Sequence, residues 1–431
     1  MPYRIRRQQL AKALPSNAIA IIPGAQEVIR NGDAHYRFRQ DSDFYYLTGF
    51  DEPDALLVLT SGELGESILF NRIRVPSEEL WTGPRLGQER AISSLNVDKA
   101  YSIDAFSTML PELLLEKEAI YFPFTRAPAY EKMILEAWGK VKGKVRQGKM
   151  VPEILRDIAP LIGEMRVFKD SDELLLMREA ARISTAGHLR MMQRCRALET
   201  EYELEAEFLY EVMRHGCRAV AYDSIVASGE NACVLHYTAN NQPLLRDQLV
   251  LIDAGGEYQH YASDITRTIP ANGRFLGEQR AIYELVLKAQ QAGIAMIKPG
   301  LLWPEIQEIM VRVLTEGLID LNLLQGSRDT LIEQQAYKSF YMHSSGHWLG
   351  LDVHDAGTYK HQGTWRALQP GMVLTVEPGL YLSSLVVPED SPWRGIGVRI
   401  EDDILVTEHG YENLTAKLPV EMDEIEGVMR D

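Results

Sequence analysis

The chain has 431 residues, 45% hydrophobic, 25% charged and 8% aromatic, an ordinary globular composition that excludes intrinsic disorder and a single small module and makes two domains the expectation. Sixty-one acidic against 45 basic residues give a formal charge of −16, the wrong sign for affinity built on neutralising phosphates, so nucleic acid and anionic membrane are poor partners. Cys195, Cys217 and Cys233 are an odd number at spacings that suit neither a disulfide framework nor a CxxC zinc site, and no apolar run approaches the ~18–20 residues of a membrane span. A cytoplasmic protein is expected. The acid-free stretch 1–26, with Arg4, Arg6, Arg7 and Lys12, also has the composition of a transit peptide.

In chain order, the first third alternates β-type runs at Ala18–Ile22, Phe44–Thr48, Ala55–Leu59 and Ala119–Phe122 with helical text such as Ala129–Lys140. A compact α/β domain is expected there. After the Lys/Gly-rich KVKGKVRQGKM, residues 151–165 read as one more helix, which sets the domains at 1–165 and 166–431. The second part opens on a capping-box spacing, Asp170 to Glu173, before a helix reaching about Cys195, and a second box, Thr200 to Glu203, starts a helix that Gly216 ends. The pattern then recurs: a helix over 278–297 carries Ala292-Gly293 where the earlier one carried Ala186-Gly187, and a partner from about Pro304 stops at Gly317. Two helix pairs, each followed by strand-like text, predict an internal pseudo-repeat packed on a sheet.

Polar residues gather in the strand-like text of this second part. In LVLIDAGGEYQHYASDITRT, Asp253 and Asp264 are eleven residues apart in two β-type runs joined through Tyr258-Gln259, and pairing as a hairpin lets them face each other across the ladder. A strand-end Asp that caps a turn is the ordinary alternative. Further on, VLTVEPGLY ends an apolar strand at Glu377, and GVRIEDDILV sets Val398, Ile400, Ile404 and Val406 on one face and Arg399, Glu401 and Asp403 on the other. Carboxylates buried ~4 Å apart repel by ~4 kcal/mol per pair at an effective dielectric of 20. Arg399 alone cannot balance Asp253, Asp264, Glu377 and Glu401, whereas two divalent ions can.

Four of the ten histidines, His236, His343, His347 and His354, stand near these segments. HxxxH in HSSGHWLGLDVHD lacks the Glu that a zincin helix requires after its first His, and Gly346 and Gly350 argue for a loop or extended strand. A hydrogen-bonded core His is the plain alternative for any one of them. One His with four carboxylates is a ligand set for manganese, cobalt or zinc, and two bridging carboxylates would hold a pair ~3.5–4 Å apart.

IDAGGEYQHYASDITRTIP, HSSGHWLGLDVHD, TVEPGLY and GVRIEDD resemble the successive motifs of the Xaa-Pro aminopeptidases, in the pita-bread group of metallopeptidases, and YRFRQDSDFYYLTGFDEPDALLVL and WTGPRLG resemble their N-terminal domain. The resemblance implies an α/β (α+β) chain: an N-terminal aminopeptidase P domain, then a pita-bread domain with a pseudo-twofold repeat around a curved antiparallel sheet. It implies that Asp253 binds one metal, that Asp264 and Glu401 bridge both, and that His347 and Glu377 complete the other, manganese being the usual ion. His236, His343 and His354, with Tyr381 and Arg399, match the residues that grip proline and the scissile carbonyl.

A metal-bridging hydroxide would then attack the Xaa-Pro bond, with His354 stabilising the oxyanion, Glu377 shuttling the proton and Arg399 orienting the bridging carboxylates. Trp81 and Asp33 lie in segments that resemble family loops reaching a neighbouring subunit's site, which implies substrate contacts and a homo-oligomer, a tetramer or a dimer. Prolidase shares all five ligands and stays open as an alternative, as does a peptidase-fold binding protein without catalysis.

Overall fold

The computed structural model describes residues 2–63 and 65–430, which form two compact units, Met1–Met165 and Arg166–Asp431. In the first, six strands lie in the order Lys99–Ser102, Ser67–Asn71, Leu56–Thr60, Ala18–Pro23, Ala119–Phe122, Ile154–Asp157. Leu56–Thr60 runs antiparallel to both its neighbours, and the outer pairings are parallel. Ile19, Ile21, Val58 and Phe70 on this sheet pack with Phe106, Leu110 and Ile134 from the covering helices.

Two expectations fail in this unit. Residues 44–48 form a helix, Ser42–Thr48, not a strand: Asp41 caps its start by accepting from Phe44 N, and Gly49, at φ 63°, closes it. A five-residue apolar run has no period of its own, so the caps decide. The stretch 151–165 is likewise not one helix but a strand, Ile154–Asp157, and a helix, Ala159–Val167, which begins where the Asp157 carboxylate accepts from Ala159 N at 2.9 Å. The basic N-terminal stretch starts as the helix Pro2–Ala13, and its Arg6 and Arg7 are buried within the unit.

The second unit carries two helix pairs, Ser171–Arg194 with Glu201–Arg214 and Gly277–Met296 with Trp303–Asp320. The repeated Ala-Gly marks where each pair crosses: a Cβ on Gly187 would lie 2.5 Å from the Phe208 ring, and one on Gly293 would lie 2.8 Å from Met310 Sδ. Only glycine permits that approach. Gly317 does not stop its helix, which runs on to Asp320, because a helix interior tolerates glycine at modest cost.

Behind the helices lie antiparallel strands in two matching sets. Leu249–Asp253 is central between Ile225–Ser228 and Thr266–Pro270, and Asp402–Thr407 is central between Val373–Val376 and Gly410–Asn413. Glu401 N donates to Thr266 O at 3.0 Å, joining the sets. A large core including Val250, Ile252, Ile269, Leu374, Val398, Ile400, Ile404 and Val406 fills the space between strands and helices. Among the described residues no helix is long and apolar enough to cross a membrane.

Candidate metal centre

The hydrogen-bond register of these strands brings the carboxylates together at strand ends, though not as a simple hairpin. Asp253 pairs with Thr266, and the chain between them buckles into a small inner hairpin, Gly256–Tyr258 with Tyr261–Ala262, that belongs to another sheet. Asp264 therefore sits two residues before the register partner of Asp253 instead of opposite it. Asp264 precedes the strand that begins at Thr266, yet both carboxylates reach one point, the Tyr222 hydroxyl. A Cβ on Gly255 would lie 1.7 Å from Ser263 O, so the glycine lets the two segments touch.

Tyr222, outside every motif in the sequence, stands between the two acids: its hydroxyl lies 2.6 Å from Oδ1 of each. One O–H supplies one proton to two acceptors, so the pair still needs a proton or a cation. Asp253 Oδ2 also accepts from Arg399 Nη2 at 2.6 Å. The Glu401 carboxylate accepts from Thr266 Oγ1 at 2.7 Å, and the Arg399 Nε donates to that same threonine oxygen at 3.1 Å. Arg399 thus pairs directly with Asp253 and reaches Glu401 through Thr266. It lies on the strand Ile396–Arg399, which breaks at Ile400 and turns Glu401 inward before Asp402–Thr407 resumes.

His347 lies in a loop tied by the bridge between Trp348 and Leu374, as its flanking glycines suggested. Its Nδ1 donates to Trp348 O at 3.0 Å, which leaves Nε2 aimed at Asp264 Oδ2, 3.3 Å away, and Glu377 Oε1, 3.8 Å away. Trp348 is itself fixed, stacked on Tyr359 with its backbone N–H on the Tyr359 hydroxyl. Ligating atoms of Asp264, His347 and Glu401 come within 4.8 Å of one another. Asp253, Asp264, His347, Glu377 and Glu401 all line one cleft of about 590 Å³, with His236, His343, His354 and Arg399 around them and Leu235, Trp303 and Tyr359 as apolar walls.

The electrostatics are those of a site built for cations. Burial raises the Glu401 carboxyl well above its usual range, and the charges of Asp264, Glu377 and Asp253 add to it. Burial likewise pushes Glu377 up to about 7, against the pull of His347 and Arg399. Burial alone would depress His347, but its hydrogen bond to Asp264 and the charge of that acid raise it to about 9. A divalent ion removes the repulsion that these protons otherwise relieve, and a hard carboxylate set with one imidazole suits it.

Around these residues, Tyr381 is buried between two partners: Arg399 Nη1 donates to its hydroxyl at 3.0 Å, and the hydroxyl donates to His343 Nε2 at 2.8 Å, since His343 Nδ1 is used on Ser344 O. Burial, with Arg399 nearby, brings His343 down to about 4, so it is neutral. The His354 ring stands edge-on to His347 with centroids 4.3 Å apart, and burial followed by the His347 charge lowers its pKa.

Trp81 and Asp33 belong to the first unit, where Trp81 is 88% exposed on the helix Pro76–Thr82 and Asp33 is exposed in the turn between Ile29–Asn31 and Ala34–His35.

Sequence reasoning missed the supports. Arg267, fully buried, donates to the carbonyls of Thr266 and Glu401 and to Asp402 Oδ1 at 2.7 Å, while Asp403 accepts from Ser263 Oγ and Asp264 N. Asp355, next to His354, takes Arg166 at 2.5 Å and Lys169 at 3.0 Å, which anchors the histidine loop. Ser184 and His188, one turn apart on the buried face of a helix, bond Gly256 N and Ala254 O beside Asp253. A polar pair at that spacing on an otherwise apolar face was the available signal.

Comparison with known proteins follows the same division. The model of metallopeptidase family M24 matches residues 175–408, and that of the aminopeptidase P N-terminal domain matches residues 3–121. The chain is 47% identical to the Xaa-Pro aminopeptidase of Haemophilus influenzae, with 99% of this chain and 96% of that protein covered. It superposes on the aminopeptidase PepP of Pseudomonas aeruginosa with a TM-score of 0.96 at 47% identity, covering 99% of this chain and 97% of that one. For zinc-substituted Escherichia coli aminopeptidase P in complex with product the TM-score is 0.96 at 44% identity, with 100% and 98% covered.

Proposed function

The chain belongs to metallopeptidase family M24 and carries the aminopeptidase P N-terminal domain, and from that premise we propose that it is an Xaa-Pro aminopeptidase, a hydrolase that removes the N-terminal residue from peptides with proline second. The observation that carries this reading is the convergence of Asp253, Asp264, His347, Glu377 and Glu401 on one cleft. Asp264 and Glu401 would bridge two divalent ions, Asp253 would complete one, and His347 and Glu377 the other. Manganese is the ion proposed, with cobalt and zinc as substitutes, because five oxygen and nitrogen donors without thiolate suit all three. When bound, such ions polarise a carbonyl and bring the pKa of a bound water near neutrality.

The chain's own residues do the rest. His354, neutral above its lowered pKa, donates an N–H to the carbonyl oxygen as charge develops there. Glu377 takes the proton released by the attacking water and hands it to the departing proline nitrogen, which as a secondary amine must be protonated to leave well. His236 and His343 flank the proline ring, and the Arg399–Tyr381–His343 chain fixes the angle of that wall.

We further propose a cytoplasmic homotetramer in which the exposed Trp81 and Asp33 reach the cleft of a neighbouring subunit and limit the far end of the peptide. The test is to strip the metal and add back Mn, Co or Zn with Xaa-Pro dipeptides, Xaa-Pro-Xaa tripeptides and longer peptides. Metal-dependent release of the first residue from tripeptides and longer chains is expected. Cleavage confined to dipeptides would make the protein a prolidase, and the absence of both stoichiometric metal and turnover would make it a binding protein.

A further inference from the structure

Outside the metal cleft, one fully buried carboxylate takes no part in the steps above: Glu201, the first residue of the helix Glu201–Arg214. The Ser228 main-chain N–H at 2.8 Å and Asn231 Nδ2 at 3.0 Å donate to its Oε1, and the Tyr237 hydroxyl at 2.8 Å and the Gln242 main-chain N–H at 2.9 Å donate to its Oε2. Four neutral donors fill the acceptor positions of a carboxylate, and the residue sits at the positive end of its own helix. All four donors belong to one stretch of chain. Ser228 ends the strand Ile225–Ser228, and residues 234–242 form neither helix nor strand. Leu235 and His236 in that stretch line the metal cleft, and His236 is exposed while its neighbour Tyr237 is anchored. The Tyr237 side chain also packs on a small cluster that includes Ile225, Leu251 and Tyr381. Beyond it, buried Asn240 accepts from Val226 N at 2.9 Å and donates to Ser224 O at 2.8 Å.

We propose that Glu201 is a positioning residue for His236: it holds the loop 228–242 in the shape that presents this imidazole to the metal cleft, acting through the Tyr237 hydroxyl. The inference rests on the peptidase reading above, which sets His236 against the proline ring. A loop without helix or strand is only as fixed as its side-chain anchors. Apolar packing keeps the Tyr237 ring in its cluster but has no direction, whereas a hydrogen bond to a carboxylate has a set distance and angle, and so fixes where the ring, and the residue before it, come to rest. Geometry of that kind matters for rate, since a displacement of about 1 Å in a group that orients substrate can cost about 10²-fold. The side chain must be a carboxylate. Glutamine would turn its NH2 toward one pair of donors, whichever way it is placed, and leave that pair without an acceptor.

The experiment is a double-mutant cycle on kcat/KM of the metal-loaded protein for Ala-Pro-Ala, with Tyr237→Phe and Glu201→Gln each made alone and in the His236→Ala background. Tyr237→Phe keeps the packed ring and removes one hydroxyl, so it carries the test if Glu201→Gln does not fold. Alone, Tyr237→Phe should lower kcat/KM by about fivefold and Glu201→Gln by about twentyfold, with metal content unchanged in both. In the His236→Ala protein neither should cost more than about twofold, because the group they position is gone. A second readout needs no turnover. In the metal-free protein the ring Cε1–H NMR signal of His236, assigned as the one missing from His236→Ala, should shift or broaden in Tyr237→Phe while that of His354 stays in place. An unchanged rate in Tyr237→Phe, equal losses in the two backgrounds, or a His236 signal that Tyr237→Phe does not move would overturn the proposal and leave the peptidase intact. Full activity in His236→Ala would remove the role of that histidine, and this inference with it. No cleavage of Ala-Pro-Ala by the unaltered protein would overturn the peptidase reading itself and take the inference along.

Discussion

Two places, one in each unit, bury charge in opposite ways. In the first, Arg7 is buried and its guanidinium donates to the carbonyls of Leu47, Leu95 and Asn96 at 2.7–2.9 Å, while Arg6 donates to Tyr46 O. Each cation there meets main-chain acceptors through its terminal nitrogens, while the buried Nε of each finds no hydrogen-bond partner among the described residues. In the second unit, Asp253, Asp264, Glu377 and Glu401 crowd one cleft with Arg399 as the direct cationic partner of one of them. Like charges gathered at a cost that the protein itself does not offset mark a place where something else is meant to bind. A lone charge held by fixed main-chain acceptors reads as architecture, and like charges crowded together as function.

The sharpest way to break this contrast is to remove a carboxylate. Glu401→Ala should abolish turnover, by more than about 10³-fold, and lower the metal content, because on the proposed function it takes away a bridge. Full activity in that variant would sink the dimetal reading. His354→Ala should leave metal content near normal and slow turnover by roughly 10²–10³-fold, the size expected for losing one oxyanion donor. A loss of metal from His354→Ala would instead make that histidine a support of the cluster.

On the architectural side, Arg7→Ala should leave three carbonyls without their donor and cost about 2–4 kcal/mol, read as a lower urea midpoint. Turnover per folded molecule should not change. If Arg7→Ala lost metal while keeping its stability, the distinction between the units would collapse.

The pH dependence of metal uptake sharpens the same point. On the proposed function Glu377, pushed up to about 7, and His347, raised to about 9, would both lose protons to ligate. Metal binding therefore releases protons, and affinity rises with pH through the interval from about 6 to 9, by about tenfold per unit for each proton displaced. Titration calorimetry in buffers of different ionisation heat measures both quantities. A pH-independent affinity would mean that the cleft is already deprotonated and its charges otherwise balanced.

Much of this was legible in the sequence, for specific reasons. Asp253, Glu377 and Glu401 each follow or interrupt an apolar run, so burial of a charge could be inferred from neighbours alone. The capping boxes of the second unit, at Asp170 and Thr200, are local signals, and the helices begin where they direct. The residues 44–48 misled because an apolar pentamer suits strand and helix equally and only Asp41 and Gly49 decide. The inner hairpin that displaces Asp264 from the register partner of Asp253 depends on pairing with Ala219–Val220, more than thirty residues earlier. Tyr222 and Arg267 act through contacts distant in sequence, and no local pattern announces them.

The smallest effect expected, and the one that tests the contrast most finely, concerns His188. It is buried like the arginines of the first unit, and burial holds its imidazole neutral with a pKa down to about 3. Its Nε2 donates to Ala254 O at 2.8 Å, its Nδ1 has no partner, and its ring stands edge-on to Phe208. By its surroundings it is architecture; by its bond it fixes the residue after Asp253. Removing a group that orients a ligand typically lowers metal affinity by about 10–100-fold, and since His188 holds the main chain and not the carboxylate itself, His188→Phe should fall near tenfold. His188→Gln, which keeps a donor, should recover most of the loss. Stability alone cannot explain that pattern: a purely structural histidine would lower the melting temperature of the metal-free protein in both variants and leave the affinity of the folded site unchanged. Stepwise affinities by calorimetry, read beside metal-free melting curves, separate the two outcomes.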